Sequence, residues 1–166
     1  MTSSTKPGQI EIRLMARLEE AEACARAMSS SEPWITLRRG YEESLAILQK
    51  EDREVYVAHR DGLFLGFLIL NMTGPFAGYV QTLCIVPGMR SRGLGKELMQ
   101  FAEARILRES PNVFLCCSSF NPKAQRFYES IGYEVIGELK NYLIPGHAEI
   151  LLRKTVGPWS EFQREQ

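Results

Sequence analysis

The stretch from Tyr79 to Glu109 constrains this chain more than any other. An apolar run over residues 79–86 is closed by Pro87 and Gly88. A turn rich in arginine and glycine fills residues 90–95, and Leu94, Leu98, Ala102 and Ile106 then fall on one side of a helix. Strand, glycine turn and helix start, in that order, make an anion site. Glycines let the backbone approach closely, the first N–H groups of a helix have no partner inside it, and its dipole favours negative charge there. The ligand expected at this stretch carries phosphate.

Two common phosphate loops are excluded. A Walker A loop needs Lys and then Ser or Thr directly after its second glycine, whereas Gly88 and Gly93 have the right separation but Leu94 follows, and Glu97 comes after Lys96. A dinucleotide fingerprint needs a third glycine where Leu98 stands. What remains is Arg-x-x-Gly-x-Gly after a strand that ends in Val86-Pro87. It resembles the coenzyme A pyrophosphate loop of the GNAT superfamily of acyl-CoA-dependent N-acyltransferases.

Whole-chain properties narrow the alternatives. A chain of 166 residues fits one domain that buries roughly 70% of its unfolded surface. Lys plus Arg and Asp plus Glu both number 20, so no global field draws the protein to nucleic acid or to an anionic membrane, and neither partner is expected. Cys24, Cys84, Cys116 and Cys117 lack metal-ligand spacing. Cys116 and Cys117 are neighbours on a strand-like run and point to opposite faces. No metal is expected. The first residues lack an apolar signal core and no run approaches a bilayer span, so the expected location is cytoplasmic.

Along the chain, residues 1–8 read as a flexible tail, residues 9–155 as one domain and residues 156–166 as a C-terminal tail. Ile10, Ile12 and Leu14 alternate with charged residues and predict a strand with one buried face. Residues 18–28 and 41–49 predict helices. Residues 55–59 and 63–70 predict strands joined by an Asp61-Gly62 hairpin turn, and a third strand leads to the phosphate loop. Residues 112–117 predict a central strand, buried on both faces. Asn121 suits an N-cap and Pro122 the first helical position, and Ala124, Phe127, Tyr128 and Ile131 make one apolar face that ends at Gly132. Residues 133–139 and 149–155 predict two closing strands. This order implies a mixed sheet covered by helices on both faces.

The segment over residues 116–133 resembles a second GNAT motif, in which a strand, Asn121, Ala124, Phe127-Tyr128 and Gly132-Tyr133 recur at this spacing. The resemblance is tight over residues 79–139 and looser from residue 9. It implies the GNAT fold, an α/β architecture with a mixed, mostly antiparallel seven-stranded sheet and helices on both faces. It also implies acetyl-CoA as cosubstrate and a primary amine as acceptor, in a monomer or homodimer. In the family the strand before the phosphate loop splays from its neighbour and hydrogen-bonds the pantetheine arm. Leu83, Cys84 and Ile85 match those positions, and the Leu83 N–H matches the one that faces the thioester carbonyl, an oxyanion contact worth a few kcal/mol. Arg90, Ser91, Arg92, Gly93, Leu94, Gly95 and Lys96 match the pyrophosphate loop, and Asn121 matches a helix cap that also binds the pantetheine arm.

Tyr128 matches the family's general acid, a phenol that is protonated at neutral pH and donates to the leaving CoA thiolate. The base follows no single pattern. In the bacterial branch that acetylates protein N-termini a Glu stands where this chain has Cys116, whereas Tyr79-Val80-Gln81-Thr82-Leu83 resembles a eukaryotic N-terminal acetyltransferase segment whose tyrosine helps deprotonate the amine. Tyr79, with a water held near Ser118, is the expected proton route. Without a carboxylate base an α-amine, roughly a tenth neutral at pH 7, suits the enzyme better than a lysine. The acceptor is therefore expected to be a peptide N-terminus, as in ribosomal-protein-alanine acetyltransferases, with a small-molecule amine as the alternative. Trp34 and Tyr142 are candidate walls for it. A catalytically idle acyl-CoA-binding module is the reading from another class.

Overall fold

The order of elements read from periodicity is the order observed. The chain runs β1 (Glu11–Leu14), α1 (Leu18–Ser29), α2 (Tyr41–Leu48), β2 (Glu54–Arg60), β3 (Leu63–Asn71), β4 (Tyr79–Ile85), α3 (Leu94–Ile106), β5 (Asn112–Ser118), α4 (Pro122–Ser130), β6 (Glu134–Lys140) and β7 (Ala148–Thr155). This is a computed structural model, and it describes residues 8–90 and 93–164. Ser91 and Arg92 of the phosphate turn, and residues 1–7 of the expected tail, lie outside the described residues. Among the described residues no helix is long and apolar enough to cross a membrane.

One seven-stranded sheet has the order β1-β2-β3-β4-β5-β7-β6. All its pairings are antiparallel except that of β4 with β5. Asp61 and Gly62 take positive φ of 50° and 79°, as a tight hairpin turn requires. Each face of the sheet carries its own core. Cys24, Ala25 and Met28 of α1 pack with Val55, Val57, Phe67 and Ile69. On the other face Leu98, Met99, Ala102 and Ile106 of α3 pack with Leu68, Leu70, Leu115 and Leu152. The mixed α/β fold with helices on both faces is thus the one expected.

β1 departs from expectation in one respect. Ile10 and Ile12 pack partly against the core, but Leu14 is 56% exposed. Among the described residues the strand lies at the sheet edge beside β2, so alternation there does not guarantee a covering layer. Beyond β7, Trp159 packs edge-on against Phe162 with ring centroids 5.7 Å apart, and half of Trp159 remains exposed.

A β-bulge shapes the middle of the sheet. Ile69 pairs with Thr82 but Leu70 pairs with Val80, so Gln81 is the extra residue. Val80 therefore faces the α3 core while Cys84 faces the α1 core, and Tyr79, next to Val80, is turned to the α1 face.

Candidate active site

β4 and β5 part company almost at once. Their parallel pairing consists of Tyr79 with Phe114 and Val80 with Leu115, while β4 continues along β3 as far as Ile85. Val86 donates its N–H to Leu65 O at 2.9 Å, which fixes the side to which each β4 residue turns its backbone. Alternation then directs Thr82 and Cys84 to β3, and Leu83 and Ile85 into the gap that β5 has left. Gly66 supports this assignment: a Cβ there would lie 2.2 Å from Cys84 O, so the two strands meet at that carbonyl. The gap opens into a cavity of about 750 Å³.

One end of the cavity is the start of α3. Gly93 is the N-cap, with φ of 79°, and accepts a hydrogen bond from Glu97 N–H at 3.1 Å. The N–H groups of Leu94, Gly95 and Lys96 therefore lie in the turn whose donors have no partner within the helix. The Leu94 side chain is core, 1% exposed, and leaves only its backbone for a ligand. Gly95 packs under α4: a Cβ there would lie 3.3 Å from the Phe127 ring. Arg90 donates from Nε to Ile85 O at 3.2 Å. Arg90, Lys96 and Lys123 give this end a positive lining.

The middle of the cavity brings polar groups from β4, β5, α4 and β7 together. On the α3 side stands Tyr128, 9% exposed, in the core between Phe127 and Tyr133. Burial raises its pKa, with Cys117 adding to the effect. Asn121 caps the helix by accepting from Ala124 N–H at 3.2 Å. On the α1 side the pairings Tyr79 with Phe114 and Ser118 with Glu149 put Tyr79, Cys116 and Glu149 on one face. Tyr79 is pushed well above the ordinary phenol range by burial first and by neighbouring Cys116.

Glu149 was not anticipated. Only 6% exposed, it accepts from Ser118 Oγ at 2.6 Å across the β5–β7 register. Burial raises its pKa, opposed by the Ser118 hydrogen bond and by Arg39. A carboxylate this buried is rare without a partner. The sequence carried one signal for it, a single acid inside the apolar run of β7, but its neighbours Ser118 and Tyr79 come from β5 and β4. The cavity therefore contains a carboxylate where the sequence reading expects none.

The far end is walled by Trp34, Arg39, Arg53 and Tyr142. Trp34 is both core and wall: 7% exposed, it packs in the α1 cluster and reaches the cavity. Tyr142 is 62% exposed, in a loop tied by Asn141 Oδ1, which accepts from Gly146 N–H at 2.8 Å. Arg39 has its pKa lowered by burial, with Glu149 acting against this and Arg53 with it. His147 packs on Phe120 and is exposed, and neither it nor His59 lines the cavity.

Tyr79, Leu83, Cys84, Ile85, Arg90, Gly93, Gly95, Lys96, Asn121, Tyr128, Trp34 and Tyr142 thus all border one cavity. Cys84 does so with its thiol in the α1 core and its backbone turned to β3. Among the described residues no cluster of His, Cys, Asp and Glu could hold a metal ion. Glu149, Arg39, Arg53, Thr82 and Lys123 are among the lining residues that sequence reasoning missed.

Residues 16–133 match the model of the Acetyltransferase (GNAT) family. Among solved structures the chain is similar to a ribosomal-protein-alanine N-acetyltransferase from Escherichia coli, at 17% identity over 95% of this chain and 100% of that one, with a TM-score of 0.70. A spermidine/spermine N-acetyltransferase from Vibrio cholerae shares 15% identity over 89% and 92% of the two chains, with a TM-score of 0.68. An aminoglycoside 6'-N-acetyltransferase complexed with coenzyme A shares 16% over 89% and 98%, with a TM-score of 0.71. At these identities the likeness is one of fold.

Proposed function

The chain belongs to the acetyltransferase (GNAT) family, and from that premise we propose that it moves the acetyl group of acetyl-CoA directly to a primary amine, either the α-amine of a peptide or a small-molecule amine. The observation that carries this reading is the gap between β4 and β5, with an ionisable group at each face: Tyr128 on the α3 side and Glu149 on the α1 side.

The residues divide the work by position. The N–H groups at the start of α3 and the positive lining from Arg90, Lys96 and Lys123 receive the pyrophosphate. Leu83 and Ile85 offer their backbone groups to the pantetheine arm as a neighbouring strand would, and Leu83 N–H polarises the thioester carbonyl. The amine nitrogen attacks the carbonyl carbon and the C–S bond breaks. The proton leaving the amine passes to Glu149, directly or through a water, and the CoA thiolate takes a proton from Tyr128. Tyr128, raised by burial, stays protonated until that step.

Glu149 takes the role of base in preference to Tyr79. The phenol of Tyr79 is pushed upward, by burial first, so it keeps its own proton and orients neighbours rather than accepting one. The preference for an α-amine loses its earlier support, since a carboxylate can accept a proton from amines of either pKa.

Thiol release from acetyl-CoA, measured against peptides with free or blocked N-termini, polyamines and amino acids, tests the transfer. Acceptor-dependent release is expected. Coenzyme A binding in calorimetry with no release for any acceptor would leave an acyl-CoA-binding module.

A further inference from the structure

The acceptor end of the cavity holds two positive side chains with unspent donors. Arg53 is mostly buried, its side chain 15% exposed, and its Nε is buried without a hydrogen-bond partner. Among the described residues it forms one ion pair, with the exposed Asp52 at 3.8 Å. Arg39 is half-buried, and its side chain makes no hydrogen bond or ion pair among the described residues. Each guanidinium carries five N–H donors in a fixed plane suited to a carboxylate or phosphate. Thr82 Oγ1, on the same wall, is also buried without a partner. Two cations facing one cavity repel each other unless something anionic stands between them.

The acids at this end fill that role only in part. Glu32 caps its own turn by accepting from Thr36 N–H at 3.2 Å, and Glu43 acts on Arg39 through space without an ion pair among the described residues. Glu149 offsets Arg39 through space, but its carboxylate is held by Ser118 and makes no ion pair with either guanidinium among the described residues. A polyamine or an aminoglycoside, the acceptors named for two of the fold neighbours, would bring further positive charge against both guanidiniums.

We infer that the acceptor is an amine bearing an anionic group a few bonds from its nitrogen, a carboxylate above all, bound with the amine toward Glu149 and the anion on Arg39, Arg53 and Thr82. The inference rests on the acetyltransferase reading of the same cavity. The anion has two chemical sources, the α-carboxylate of a free amino acid or an acidic side chain at a peptide N-terminus.

Matched pairs of acceptors separate these sources and test the charge. L-Phenylalanine against its carboxamide probes the first, and aspartyl-alaninamide against asparaginyl-alaninamide the second. Where the anion is recognised, kcat/KM for the acid should exceed that for the amide by about tenfold or more, mainly through KM, as a hydrogen bond to a charged group implies. Phenylalaninamide carries the less basic amine, so a site blind to charge would favour it. In Arg39→Gln and Arg53→Gln the preference should shrink toward parity, and Arg39→Lys should keep part of it. The ratio is taken within one sample, so loss of folded protein cancels.

Amides equal to or better than acids in both pairs would overturn the inference, as would a preference that neither arginine variant reduces. Absence of thiol release from every amine would overturn the transferase reading instead. The charge preference would then be read by calorimetry of both pairs on the coenzyme A-saturated protein, where equal affinities would overturn it.

Discussion

Ser118 donates its hydroxyl to Glu149 Oε1 at 2.6 Å, joining β5 to β7 at the mouth of the gap that β5 leaves beside β4. One hydrogen bond holds the carboxylate in place and leaves its second oxygen for the cavity. The pair is buried on both sides, Ser118 at 3% and Glu149 at 6% exposure.

The first prediction is catalytic. Glu149→Gln keeps the shape of the side chain and removes the base, so kcat/KM should fall by about 10²- to 10⁴-fold. Burial raises the Glu149 pKa, so the acidic limb of the wild-type profile should lie above the ordinary carboxylate range. In the variant that limb should disappear. A limb unchanged in position would assign it to another group.

The same substitution has a consequence for stability. A carboxyl whose folded pKa is raised contributes stability that is fully present below its unfolded value of about 4.3 and is lost as pH rises through the folded value. Glu149→Gln should flatten the decline of Tm over that window and leave the variant at least as stable as wild type at neutral pH. A Tm deficit of equal size on both sides of the window would mean that the carboxylate is structural.

Tyr79→Phe distinguishes orientation from proton transfer. Since burial pushes the phenol upward and keeps it protonated, the variant should lose activity by a similar factor at every pH, with acetyl-CoA affinity unchanged. A loss concentrated at low pH would return Tyr79 to the proton route.

Tyr128→Phe retains the packing against Phe127 and Tyr133 and deletes the hydroxyl. The expected drop in kcat is roughly tenfold to ten-thousandfold, with coenzyme A binding nearly intact. Full activity in a folded variant would leave Tyr128 as a core residue.

Gly93 tests the phosphate site. Its φ of 79° costs a side chain about 1–2 kcal/mol, yet open space surrounds the position of a Cβ, so Gly93→Glu should fold. Its carboxylate would stand where the pyrophosphate is proposed to bind, and calorimetric affinity for coenzyme A should be lost. Arg90→Ala should weaken binding less, because backbone donors remain. Unchanged affinity in Gly93→Glu would remove the loop from the cofactor site.

What the sequence determined by itself was local. The hairpin at Asp61-Gly62, the cap at Asn121-Pro122, the glycine start of α3 and the order of elements all follow from residues within a turn or two of each other, where backbone sterics and periodicity act. The positions bordering the cavity from β4 to α4 were legible because they cluster in two contiguous motifs. Tertiary structure alone decided the acid–base and charge layout. Glu149 reads as one acid in a strand until β7 lies beside β5 and sets it against Ser118. Nothing in the residues beside Arg39 or Arg53 shows that the segment after α1 and the start of β2 meet over one cavity. The bulge at Gln81, which turns Tyr79 toward them, arises from a mismatch of register between β3 and β4. Desolvation and charge proximity depend on which distant strands become neighbours, and no local window of sequence contains that information.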